Sequence, residues 1–111
     1  MISVTLYQNE GHIYRVSLMG HAGYAEHGED IVCAAVSTLT INTLNAIEAF
    51  TTEPVKQLAL NQKKGYIDVL FPDRQAGVYK DEADLLLKTM SLGLESIKEM
   101  YGEKYIQIKN K

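Results

Sequence analysis

Cysteine is nearly absent: the 111-residue chain carries one, Cys33, so no intramolecular disulfide can form. A basic excess is absent as well. Eleven Lys and Arg stand against fourteen Asp and Glu, a formal net charge of −3. Autonomous nucleic-acid binding usually needs a basic face, so no direct nucleic-acid partner is expected. The amino end, MISVTLYQNEG, lacks the basic start, long apolar run and small-residue cleavage site of a signal peptide. No apolar run is read as approaching the roughly 20 residues that span a bilayer, so no membrane contact is expected. Linkers and low-complexity segments are missing too. Residues 1–111 read as one domain, in a reducing cytoplasm where a lone thiol persists.

What is there begins with alternation. In 2–8 (ISVTLYQ) Ile2, Val4 and Leu6 face one way and Ser3, Thr5 and Tyr7 the other. Asn9, Glu10 and Gly11 read as a turn, and 12–19 (HIYRVSLM) as a second strand, which makes a β-hairpin. Residues 20–29 break the pattern with three glycines and two histidines and read as a mobile polar loop. Asp30 then opens a long apolar run, read as a helix that Asp30 caps and that ends near Thr51. Strands are expected at 55–61 and 65–71 around a Lys63-Lys64-Gly65 turn. A second helix is expected over 80–101, with Ala83, Leu86, Leu87, Met90, Leu94, Ile97 and Tyr101 on one stripe and Leu85 and Leu92 widening it. Gly102 reads as its stop, and 104–108 as a last strand.

The resulting order, ββα-ββα-β, hints at a duplicated plan without visible identity between the halves. It predicts an α+β two-layer sandwich with two long helices packed on a β-sheet. The first helix is apolar on more sides than one sheet face can cover, so a homodimer is expected to supply the rest.

Reactive side chains concentrate in one stretch, GHAGYAEHGEDIVCAAVS, residues 20–37. With Asp30 as the cap, Cys33 is the third residue inside the helix, among first-turn amides that favour negative charge. Such a placement lowers a thiol's pKa and raises its thiolate fraction. The dipole contributes roughly 0.3–1 kcal/mol, so an imidazole partner is needed as well. His21, where the second strand ends, is the candidate base, and the turn amides are candidate oxyanion donors. Ser37 lies one helical turn after Cys33 and can hydrogen-bond into the site. Asp30 has two possible jobs, capping the helix or orienting His21. His12, in the hairpin, reads as structural. A metal site of His21, His27 and Cys33, with Glu26 or Asp30 as fourth ligand, is the chemical rival. Its spacing matches no common zinc pattern. The non-enzymatic rival is an interaction module that grips a partner with the glycine loop and the apolar helix.

The motif Gly20-His21, then Asp30-x-x-Cys33-x-x-x-Ser37, with eleven residues between His21 and Cys33, resembles the ribosomal-processing cysteine protease family Prp. The resemblance covers the whole chain. It implies a catalytic dyad of His21 and Cys33, with Gly20, Asp30 and Ser37 in supporting roles. The implied substrate is the N-terminal extension of ribosomal large-subunit protein twenty-seven, cut between a pair of phenylalanines and a small residue. The implied assembly is a homodimer. The loop of Ala22, Gly23, Tyr24, Ala25, Glu26, His27, Gly28 and Glu29 is implied to close on substrate. No metal or other cofactor is implied.

The metal and thiol readings separate in one experiment. Peptide cleavage is expected to survive dialysis against a chelator and to gain nothing from added zinc. Chelator-sensitive activity together with one bound zinc per chain would reverse the preference for thiol chemistry.

Overall fold

Alternating apolar residues build the first hairpin from β1 (Ile2–Asn9) and β2 (His12–Met19). Its turn is the two-residue loop Glu10-Gly11, with φ of 51° and 82°, the twist that suits a tight hairpin. The computed structural model describes residues 1–20, 27–61 and 65–111, and of 27–30 the backbone alone. The remaining elements are α1 (His27–Phe50), β3 (Lys56–Asn61), β4 (Tyr66–Leu70), α2 (Pro72–Gln75), α3 (Asp81–Tyr101) and β5 (Ile106–Asn110). The expected order holds, with one added short helix.

The five described strands form one sheet in the order β3-β4-β2-β1-β5. All neighbours are antiparallel except β1 and β5, which run parallel. Burial then follows the strand period. Ile2, Val4 and Leu6, with Val16, Leu18, Ile67, Val69 and Ile106, are buried on one face. The helices cover that face through Val32, Val36 and Ile47 of α1 and Leu87, Met90 and Leu94 of α3, all in one core. The buried positions recur every three or four residues, as an amphipathic helix requires. Gly93 of α3 lets the helices approach closely, since a Cβ there would stand 2.7 Å from Leu39 Cδ2 of α1.

Several expectations need correction. Leu85 and Leu92 do not widen the buried stripe; they are 66% and 70% exposed. Leucine periodicity alone cannot tell a wide core stripe from apolar side chains on the solvent side. Asp30 is not a cap, because α1 begins at His27, so His27, Gly28 and Glu29 belong to its first turn rather than to a loop. Acidic residues are favoured both at a cap and within the first turn, so composition did not separate the two registers. The apolar run Ile31–Phe50 is, by length and composition, long enough to cross a membrane. Here it serves as a core helix, with Val32, Val36, Thr40 and Ile47 wholly buried.

The short helix α2 was missed because four residues carry no periodic signal. It is tied to an irregularity in β2. The β1–β2 register shifts between Tyr7 and Gln8, whose partners are Arg15 and Ile13, so Tyr14 is an extra residue. Two carbonyls at this bulge are bonded beside α2: Phe71 N, one step past the β2–β4 pair Arg15–Leu70, donates to Tyr14 O at 2.8 Å, and Arg74 Nε of α2 donates to Ile13 O. Arg74 is fully buried, and its Nη2 donates to Asp84 Oδ1 of α3 at 2.7 Å. His12 Nδ1 lies 2.8 Å from the same oxygen, and Lys88 Nζ 3.1 Å from Oδ2. The His12 ring stacks on Tyr79 with centroids 4.0 Å apart. One carboxylate therefore ties the start of β2 to both α2 and α3.

Burial pushes the Asp84 carboxyl up, but bonds from Arg74, His12 and Lys88 outweigh it and hold it well below the usual carboxylate range. A depressed folded value stabilises the fold above the unfolded value of about 3.9 and loses that contribution as pH falls below it. Asp84→Asn strands the Arg74 charge and is expected to cost about 3 kcal/mol in urea unfolding at neutral pH. Its stability should also fall less steeply than the parent's below about pH 4. Equal acid slopes in the two proteins would remove Asp84 from the account.

Candidate active site

The end of β2 meets the first third of α1. β2 stops at Met19, and the next residue, Gly20, donates its N–H to Gly65 O at 2.9 Å. A Cβ built on Gly20 would lie 3.2 Å from Cys33 Sγ and 3.2 Å from both Cγ1 and Cδ1 of Ile2. The backbone that leads into His21 therefore runs against the thiol. A cysteine–histidine pair needs the chain around His21 close to Cys33, and Gly20, the residue before His21, lies beside the thiol.

Cys33 is partly buried and packs against the core. Val32 and Val36, either side of it in sequence, are wholly buried and fix the rotation of α1 about its axis. Ser37 is half-buried one turn further on. Asp30 occupies the helical position three residues before Cys33. His21 and Ala22, Gly23, Tyr24, Ala25 and Glu26 lie outside the described residues, as do the side chains of His27, Gly28, Glu29 and Asp30. The expected mobility of 22–29 and the ligands of the rival metal site fall largely within that set.

The helix register revises one part of the chemistry. With α1 starting at His27, Cys33 is its seventh residue rather than its third. Unsatisfied amides belong to the first four residues of a helix, and the dipole effect fades within the first turn. The helix-start argument for the thiol and for an oxyanion site at Cys33 therefore loses its geometric basis. Activation of the thiol then requires another group, such as an imidazole.

Two neighbours of the site escaped the sequence reading. Ile2 supports Gly20 from β1, and Gly65 supports it from the β3–β4 turn. Neither belongs to a local motif with Cys33. Only the strand register could have brought them in, because Gly20 and Gly65 continue the β2–β4 ladder one step beyond the pair Met19–Tyr66. Lys63 and Lys64 of that turn lie outside the described residues.

Residues 1–107 match the family model described as cysteine protease Prp. The chain belongs to this family. A ribosomal processing cysteine protease Prp from Staphylococcus aureus is 36% identical over 104 residues, 93% of each chain. A crystal structure of the S. aureus Prp protease with a substrate peptide superposes with a TM-score of 0.86 at 34% identity, over the whole of both chains. A second, with a covalently linked product peptide, gives 0.83 at the same identity. Prp membership settles the choice between enzyme and passive interaction module, and the α+β architecture agrees with that of the solved Prp proteases.

Proposed function

We propose that this cysteine protease removes the N-terminal extension of a ribosomal large-subunit protein, with Cys33 as nucleophile and His21 as base. The observation that carries the reading is chemical: a cysteine protease needs a thiol, and this chain has one cysteine. Its Sγ lies against the backbone of Gly20, the residue covalently joined to His21. Relatives that share a third of the sequence are named for ribosomal processing, and one solved relative holds a covalently linked product peptide.

The reaction follows from those groups. Cys33 thiolate attacks the scissile carbonyl carbon, and the C=O electrons move onto oxygen. As the tetrahedral adduct collapses, the C–N bond breaks and His21 gives its proton to the leaving amine. Water, deprotonated by His21, then attacks the thioester and releases the acid and the thiolate. The proposed bond follows a pair of phenylalanines and precedes a small residue, as in the twenty-seventh large-subunit protein. Asp30 and Ser37, three residues before and four after Cys33, are assigned supporting roles in orienting the pair, and residues 22–26, ahead of α1, the role of closing on substrate. The setting proposed is the bacterial cytoplasm, where the thiol stays reduced.

We also propose a homodimer. A groove of about 290 Å³ runs between α1 and the edge strand β3, lined by Ile41, Leu44, Val55, Leu60, Ile67 and Val69. Val55 and Leu60 are 41% and 47% exposed there. An uncovered edge with apolar side chains invites strand pairing or a partner, and a second copy would bury it together with the apolar flank of α1.

Two experiments test these readings. Cys33→Ala is expected to fold normally by circular dichroism and to cleave no Phe-Phe peptide, with Cys33→Ser nearly as inactive; a folded Cys33→Ala enzyme that still cleaves would end the assignment. Sedimentation is expected to show a dimer that Leu60→Glu converts to folded monomer. A parent protein that sediments as a monomer at micromolar concentration would remove the dimer proposal.

A further inference from the structure

We infer that Gly65, in the β3–β4 turn, is a positioning residue for the cysteine–histidine pair, holding the Gly20 backbone, from which the chain passes to His21, against the Cys33 thiol. The inference rests on the thiol-protease reading above.

Three contacts form a stack. Gly65 O accepts the Gly20 N–H at 2.9 Å. A Cβ on Gly65 would stand 3.3, 3.4 and 3.5 Å from the O, C and Cα of Gly20. Those atoms include the Gly20 carbonyl, so a side chain at 65 bears on the backbone that passes into residue 21. On its other side Gly20 has the same property, with its own Cβ position 3.2 Å from Cys33 Sγ. Two opposed residues without side chains thus separate the β3–β4 turn from the thiol. Position 65 also has a φ of +64°, which L side chains other than Asn and Asp resist.

These two demands on position 65 can be pulled apart. Asparagine tolerates the positive φ but keeps a Cβ against the Gly20 peptide, whereas alanine fails on both counts. A purely structural Gly65 is restored by asparagine. A positioning Gly65 is not, because the displaced peptide moves the base and leaves the global fold untouched. Misplacing a catalytic group by a fraction of an ångström acts on the rate of the step more than on substrate affinity.

The test uses the full chain with Gly65→Ala and Gly65→Asn. Thermal unfolding, kcat and KM on a Phe-Phe peptide, and the pH profile of Cys33 alkylation by iodoacetamide are measured for each. Gly65→Asn is expected to recover most of the parent's thermal stability, yet to lose about tenfold or more in kcat with KM within about twofold. Its alkylation profile is expected to move away from the parent's, since thiol reactivity reports the nearby imidazole independently of proteolysis. Recovery of kcat and of the alkylation profile along with stability would reduce Gly65 to a turn residue and overturn the inference. So would parent-like kcat in both variants. Failure of the protease reading itself is a separate result, cleavage by Cys33→Ala; the alkylation profile still decides whether Gly65 governs the thiol's surroundings.

Discussion

The approach of Gly20 to the Cys33 thiol depends on where β2 ends, and β2 is held along its whole length. It pairs with β1 on one side and β4 on the other. At its start, His12 and the Ile13 carbonyl are bound through Asp84 and Arg74 to the helices beyond the sheet. Midway, Arg15 on the open face makes two bonds to Asp68 of β4, at 2.9 and 2.7 Å. Val16 and Leu18 are buried on the opposite face. A strand restrained at both edges and on both faces presents the residue after it, Gly20, to a helix with little freedom, the rigidity that the proposed Cys33–His21 pair would need.

α1 is restrained by different means. Its buried residues fall on one stripe from Val32 to Ile47, which sets its rotation, and Gly93 of α3 sets how close the second helix comes. Cys33 follows Val32 and so sits at the margin of the core, partly covered and partly open. Marginal burial is compatible with the nucleophile's role proposed for Cys33: a wholly buried thiol cannot reach a peptide, and a wholly exposed one lacks neighbours to orient it. The two ends of the molecule divide the work. The ionic cluster around Asp84 anchors the start of β2, and the small-residue stack at Gly20 and Gly65 shapes the other end.

The uncovered surfaces carry a different physical message. Both long helices lie on one face of the sheet, and among the described residues no long helix covers the other face, which carries polar and aromatic side chains such as Tyr7 and Tyr14. The edge at β3 is apolar where α1 fails to reach it. A two-layer domain of this size cannot shield every strand edge, and the apolar residues at β3 are the basis of the proposed dimer.

Much of the architecture was legible in the residues because it rests on local periodicity. Ile2, Val4 and Leu6 alternate, and Ala83, Leu87, Met90 and Leu94 recur at helical spacing; both patterns settle into the elements they predict. The cluster around His21 and Cys33 was legible for another reason: reactive residue types crowd into one short segment. Three features were decided only by tertiary structure. The start of α1 at His27 depends on where the chain leaves the sheet, and an acidic residue signals a cap and a first turn alike. The helix α2 is tied to the bulged strand through the buried Arg74 and the Ile13 carbonyl, and no four-residue pattern announces it. The neighbourhood of Gly65, Gly20 and Cys33 joins residues up to 45 positions apart, and only the register of β2 against β4 places them together.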